Sequence, residues 1–123
     1  MSNLIQEKVL LSNLGIEAFN EMQTKSFLTI QDQNEVVLLA PTGSGKTLAF
    51  LWPIINQLNP EIKQVQCLIL TPTRELALQI ESEFKNLAFG FGMFSVSCVG
   101  GLPIMKQIRE IKLGVSFVIG TPG

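Results

Sequence analysis

Four apolar runs punctuate the chain, at residues 35–40 (EVVLLA), 66–70 (QCLIL), 94–99 (FSVSCV) and 115–119 (VSFVI). Each is short enough for a strand. The first is apolar without alternation, which predicts a strand covered on both faces by helices rather than one half open to water. The intervening stretches, at about 45–58, 73–88 and 103–112, are long enough for helices. The order strand, helix, strand, helix, strand, helix, strand then predicts parallel strands joined by right-handed crossovers. Pro53 lies inside the first of these helices, where its missing N–H and its ring are expected to bend it. Ahead of the first strand, residues 3–14 space Leu4, Ile5, Val9 and Leu11 at roughly helical intervals and stop at Gly15; a shorter helix is expected after Phe19. The predicted class is α/β.

Composition narrows this reading. With 46% hydrophobic and 15% charged residues, the 123-residue chain reads as one soluble globular domain without low-complexity segments or repeats. Its mean hydropathy of +0.35 predicts some apolar surface that expects a partner. No apolar run approaches the ~20 residues that span a bilayer, and no charged segment followed by an apolar one opens the chain. The expectation is a cytoplasmic protein with no membrane partner. A net charge of -1 and a pI near 5.4 exclude a grip on nucleic acid through a broad basic face, so any such contact is local. Lys63, Lys85, Lys106, Arg109 and Lys112 are scattered among acids and read as solvated helix faces. Cys67 and Cys98 lack CxxC spacing, and the chain has no histidine, which excludes most zinc sites and leaves two buried free thiols.

The chemistry-bearing motif is at residues 40–47 (APTGSGKT), between the first apolar run and the helix that follows. It matches the P-loop pattern in an alanine-first form, in the strand-to-helix context that the mechanism requires. Gly43 and Gly45 have no side chain to block a phosphate and allow backbone angles that turn N–H groups into an anion nest. Thr42, Gly43, Ser44, Gly45, Lys46 and Thr47 are the candidate nucleotide-binding residues. Lys46 supplies a point charge for the β and γ phosphates, and the Thr47 hydroxyl is a candidate ligand for Mg²⁺. A P-loop alone leaves kinase, GTPase, transporter ATPase and helicase open.

Further residues decide among these. Residues 72–77 (PTRELA) follow the second apolar run, Gly100 and Gly101 follow the third, and residues 121–123 (TPG) follow the fourth. This ordered set resembles the DEAD-box ATP-dependent RNA helicases, in which the three segments are motif Ia, the GG motif and motif Ib. The resemblance runs from about Gly15 to the last residue. It implies a three-layer P-loop NTPase (RecA-like) fold with a mainly parallel sheet, of which this chain carries the N-terminal part of the first domain. It also implies ATP and Mg²⁺ as cofactors, ATP hydrolysis coupled to the remodelling or unwinding of RNA duplexes, and a second RecA-like domain in the full protein as partner. All three segments fall at the carboxyl ends of predicted parallel strands, where open α/β sheets gather ligands. The candidate RNA-binding residues are Pro72, Thr73, Arg74, Gly100, Gly101, Thr121 and Gly123, acting on sugar and phosphate without sequence preference.

Residues 15–23 (GIEAFNEMQ) look like the family's Q motif, and Gln23 is the candidate for adenine recognition, since its amide offers a donor and an acceptor together. The family usually has proline, threonine, proline and isoleucine where this chain has Phe19, Asn20, Glu21 and Met22. The sequence ends before any Asp-Glu-Ala-Asp or Ser-Ala-Thr motif. In the family these motifs help hold Mg²⁺ and activate water, and the second domain supplies arginine fingers. The chain is therefore expected to be a fragment that alone neither hydrolyses ATP efficiently nor unwinds RNA. The alternatives are a DNA-directed helicase sharing the P-loop and a non-catalytic RNA- or protein-binding module on the same fold. An unrelated P-loop kinase or GTPase gives no reason for PTRELA.

Overall fold

The structure is a computed structural model that describes residues 3–123. The chain clusters into two compact units, one ending at Gln57 and one from Leu58 to Gly123. The first is helical: α1 (Asn3–Leu14), α2 (Glu21–Asp32) and α3 (Lys46–Gln57). At the end of α1, the Gly15 and Ile16 N–H groups turn back to the carbonyls of Ser12 and Leu11, each at 3.1 Å, which satisfies acceptors the last turn leaves open. The second N-terminal helix is not shorter than the first; both have 12 residues, and Asn20 and Gln23 cap α2 at its start. Helix α3 continues through Pro53, whose carbonyl accepts a 3.3 Å hydrogen bond from the Gln31 side chain of α2.

Between α2 and α3 the structure corrects a sequence expectation. Residues 35–40 form no strand. Val37 and Leu39 are 85% and 88% exposed, so the run is not covered on both faces. The reason lies in the nature of a strand, which exists only by pairing its main-chain groups with a neighbour. Among the described residues, the first unit contains no other extended segment to pair with.

The second unit holds β1 (Cys67–Leu70), α4 (Arg74–Leu87), β2 (Ser95–Cys98), α5 (Ile104–Gly114) and β3 (Phe117–Gly120). The three strands are parallel in the order β1-β3-β2, with Phe117 opposite both Cys67 and Ser95. The crossovers through α4 and α5 run in opposite directions along the sheet, so right-handed connections place the two helices on opposite faces. Central strand β3 is buried along its whole length, as a strand between two neighbours and two helix layers should be. Helix α4 buries Ala77, Ile80, Phe84 and Leu87, one stripe of its surface, and stacks Phe84 on Phe117 at 4.0 Å between ring centroids. Glu81, on the same helix, accepts hydrogen bonds from Ser95 (3.0 Å) and Ser97 (2.7 Å), satisfying two strand hydroxyls that the apolar reading of this run passed over.

The cysteines are free and half-buried rather than fully buried. Burial pushes the Cys67 thiol up to about 11. Cys98 is also raised, first by burial and then by the Glu110 and Glu81 carboxylates. Both stay protonated at neutral pH and carry no role as nucleophiles. Lys85 and Lys106 pair with Glu81 and Glu110 one turn away, at 3.6 and 4.0 Å, as solvated helix faces do. No helix among the described residues is long and apolar enough to cross a membrane. The expected apolar surface is present: Val37, Leu39, Leu68, Leu70, Ile104, Met105 and Leu113 are all exposed.

The ring stack in the second unit and the exposed run in the first predict opposite responses to truncation. Phe117→Ala should cost about 3–5 kcal/mol in urea denaturation, because it removes a fully buried ring and leaves a cavity. Leu39→Ser should stay within about 0.5 kcal/mol of the parent. Equal costs would contradict this placement of the core.

Candidate nucleotide-binding site

The phosphate loop is built by two left-handed glycines flanking Ser44. Gly43 has φ +83° and Gly45 φ +88°, and no other residue type adopts this conformation without strain. The Ser44 N–H is used internally, donating to the Pro41 carbonyl at 3.2 Å, and the Ser44 hydroxyl donates to the same carbonyl at 2.6 Å. By contrast, no acceptor among the described residues takes the N–H groups of Gly43, Gly45, Lys46 or Thr47. Lys46 and Thr47 open α3, where orphan first-turn donors and the positive end of the helix dipole coincide. Alternation of left-handed and ordinary backbone ahead of a helix start is the arrangement that binds phosphate. Thr42, Gly43 and Gly45 are exposed, whereas Ser44, Lys46 and Thr47 are half-buried. Lys46 lines a cavity of about 670 Å³ with Phe50, Val36, Leu38 and Gln31. Ser44 lines another of about 840 Å³ with Asn20, Met22 and Lys25.

Gln23 lies against this loop. It is only 6% exposed. Its Oε1 accepts the Asn20 N–H at 2.9 Å while Asn20 Oδ1 accepts the Gln23 N–H at 2.8 Å, a reciprocal capping box at the start of α2. The nitrogen ends of the same two amides reach the loop: Gln23 Nε2 donates to the Gly45 carbonyl and Asn20 Nδ2 to the Ser44 carbonyl, each at 3.2 Å. Asn20 therefore belongs to the site. Reading it only as a departure from a family pattern missed this, although asparagine followed three residues later by glutamine is itself a capping-box signal. Phe19 stacks on Trp52 of α3 with centroids 3.8 Å apart, and Phe27 stacks on it at 4.1 Å. Two rings this close to one indole must lie on its opposite faces, so Trp52 joins the entry of α2 to the helix that follows the loop.

In the second unit, the predicted contact residues gather at the carboxyl edge of the sheet. Main-chain bonds lace the strand exits together, from Thr71 N–H to the Gly120 carbonyl at 2.9 Å and from Thr121 N–H to the Cys98 carbonyl at 3.3 Å. Thr73 caps α4, its hydroxyl accepting the Leu76 N–H at 3.2 Å. Arg74 begins that helix, and its guanidinium packs on Gly101, where a Cβ would come within 2.7 Å of Nη1. Gly101 has φ +85°, and Gly100 is open on its side-chain side. Pro72, Thr73, Arg74, Gly100, Gly101 and Gly123 are exposed and Thr121 half-buried, so the set is available to a ligand.

Residues 20–123 match the sequence family of DEAD/DEAH box helicases. The chain belongs to that family. It is 38% identical over 109 residues to the DEAD-box ATP-dependent RNA helicase CshC of Bacillus cereus, covering 89% of this chain and 28% of that protein. It is 39% identical over 114 residues to the RNA helicase CrhR of Synechocystis, covering 93% of this chain and 23% of that protein. Among solved structures, a DEAD box protein from Methanococcus jannaschii is similar with TM-score 0.83 and 36% identity, across 93% of this chain and 31% of that one. The fold is thus the RecA-like α/β fold of DEAD-box helicases. This chain spans less than a third of the length of these helicase relatives.

The loop geometry yields a stability ordering for two substitutions in this helicase segment. Gly43→Ala carries only the backbone cost of a left-handed alanine, about 1–2 kcal/mol, because nothing lies within 4 Å of its added Cβ. Gly45→Ala carries the same cost plus a collision, since its Cβ would sit 2.5 Å from Gln23 Nε2. Thermal denaturation should show Gly45→Ala melting below Gly43→Ala; the reverse order would contradict the described contact.

Proposed function

We propose that the chain is the ATP- and RNA-binding N-terminal part of an ATP-dependent RNA helicase, which hydrolyses ATP to remodel or unwind RNA duplexes. The observation that carries this reading is the set of unpaired N–H donors at Gly43, Gly45, Lys46 and Thr47 beside the Lys46 ammonium. A nucleoside triphosphate tail is the ligand that such donors and such a charge suit. Adenine is assigned to Gln23, whose amide retains one donor and one acceptor beyond the bonds it makes here.

Mg²⁺ fits the site as a guest of the nucleotide. Thr47 offers one hydroxyl oxygen, and no group of three acidic, histidine or cysteine side chains among the described residues offers a cage. Mg²⁺ commonly takes such a place by keeping waters and binding phosphate oxygens. When bound, it would neutralise charge on the β and γ phosphates.

RNA is assigned to the carboxyl edge of the sheet through Pro72, Thr73, Arg74, Gly100, Gly101, Thr121 and Gly123. Contacts of this kind reach sugar and phosphate, so binding is sequence-independent and local, in keeping with a net charge of -1. The full enzyme uses a second RecA-like domain to complete both sites. These 123 residues contain no Asp-Glu-Ala-Asp sequence, and the chain alone binds nucleotide without efficient turnover.

Trp52 is the only tryptophan and stacks against the residue that enters α2, so its fluorescence reports on the loop. Titration with Mg-ATP should change this emission in a saturable way, and Lys46→Ala should remove the change. The unaltered chain should show no RNA-stimulated ATP hydrolysis. Absence of any nucleotide response, or brisk RNA-stimulated turnover by the 123 residues, would overturn the respective half of the proposal.

A further inference from the structure

A strand at the rim of a sheet turns the N–H and C=O groups of alternate residues outward, where nothing in the sheet pairs with them. Among the described residues β1 is such a strand, with β3 as its one neighbour. The Cys67 and Thr71 N–H groups donate to the Ser116 and Gly120 carbonyls at 3.1 and 2.9 Å, so the odd-numbered residues face β3. Leu68 and Leu70 therefore present their main-chain groups to the open side, and they are 64% and 62% exposed. No charged residue or proline within Cys67–Leu70 guards this rim. The rim at β2 is guarded: the Val99 carbonyl accepts Gln107 Nε2 at 3.3 Å, and Lys85, Lys106 and Glu110 line the cavity beside it.

The same chain carries the matching half of a pair. Residues 35–40 make no main-chain hydrogen bond among the described residues. When extended, the run puts Val37 and Leu39 on one face, and both are exposed. Its single charge is Glu35 at its start, and it ends at Pro41, which has no N–H to continue a ladder. Short apolar runs of high β propensity and low charge are the ones that add to open strands. A net charge of -1 leaves little repulsion between copies. We propose that a second copy of this chain covers β1: residues 35–40 of one molecule add as a strand along Leu68 and Leu70 of another, laying Val37 and Leu39 beside the two leucines. Main-chain pairing supplies the bonds that both segments lack, and the side chains supply apolar burial. Each molecule is both donor and acceptor, so the contact closes into a dimer or runs on as a chain. No N–H donor of residues 43–47 takes part, so nucleotide is not required.

The test is sedimentation velocity of the 123-residue chain over a range of concentrations, alongside its V37K, L68K and L113K variants. All three replace exposed side chains, so dilute samples should melt close to the parent. The parent should gain mass reversibly as concentration rises. V37K and L68K should each weaken that association by more than about tenfold, because the contact would bury an unpaired ammonium group. L113K, which places the same charge on α5, should associate like the parent. V37K mixed with L68K should form one-to-one complexes that neither forms alone, since each keeps the half that the other has lost. A parent that stays monomeric up to about 1 mM would overturn the proposal. So would association untouched by V37K and L68K, or weakened as much by L113K, which would mark general apolar stickiness. A mixture of V37K and L68K that stays monomeric would equally overturn it, because the two segments would then not be partners. Constant mass in the parent with early melting of V37K would place the run against its own chain instead.

Discussion

The structure depends most on the rigidity of the peptide plane at one turn. Two side-chain amides grip the carbonyls of Ser44 and Gly45, and through the planar peptide they direct the N–H groups of the next residues. An anion site made from main-chain donors is only as good as its preorganisation, because donors that must first be turned toward a ligand lose part of what they contribute to binding. In this chain that preorganisation is shared by the cap of the preceding helix, by the Ser44 bonds to the Pro41 carbonyl and by the Ala49 N–H, which also donates to the Gly45 carbonyl at 3.2 Å. Helix α2 is thus both a structural element and a brace of the site.

The sheet unit solves a parallel problem by other means. Its strand exits are short and exposed, so they need a rigid base, and the buried β3 between β1 and β2 provides one. The Phe84 and Phe117 stack locks α4 over that strand. Thr73 then sits at the start of a helix whose first turn is already capped, and Arg74 rests on Gly101. The proposed contact residues are few and weakly charged, which suits a surface that would read backbone shape rather than attract nucleic acid from afar.

Much of this was legible in the sequence, for identifiable reasons. The boundaries of α3, α4 and α5 and the presence of three strands followed from apolar runs and from strong stop signals at glycine and proline. Thr73 was readable as a cap because threonine before a helical run has one dominant use. The run at 35–40 misled because β propensity describes how side chains fit a sheet and says nothing about whether neighbouring strands are at hand. Gln23 was singled out through its motif, but its bond to the loop depends on how the turn folds back, which no local pattern encodes. Asn20 was hidden for a different reason: attention to family identity drew notice to the residue it replaces rather than to the amide it brings.

The central claim is that the main-chain donors of residues 43–47 receive the triphosphate. It is tested most directly by following the amide resonances of the isotopically labelled chain as Mg-ATP is added, with adenosine as a control. The account predicts that the Gly43, Gly45, Lys46 and Thr47 amide protons shift most and move downfield with Mg-ATP, and that adenosine leaves them in place. Saturating Mg-ATP with these four signals unmoved, or equal movement with adenosine, would contradict it.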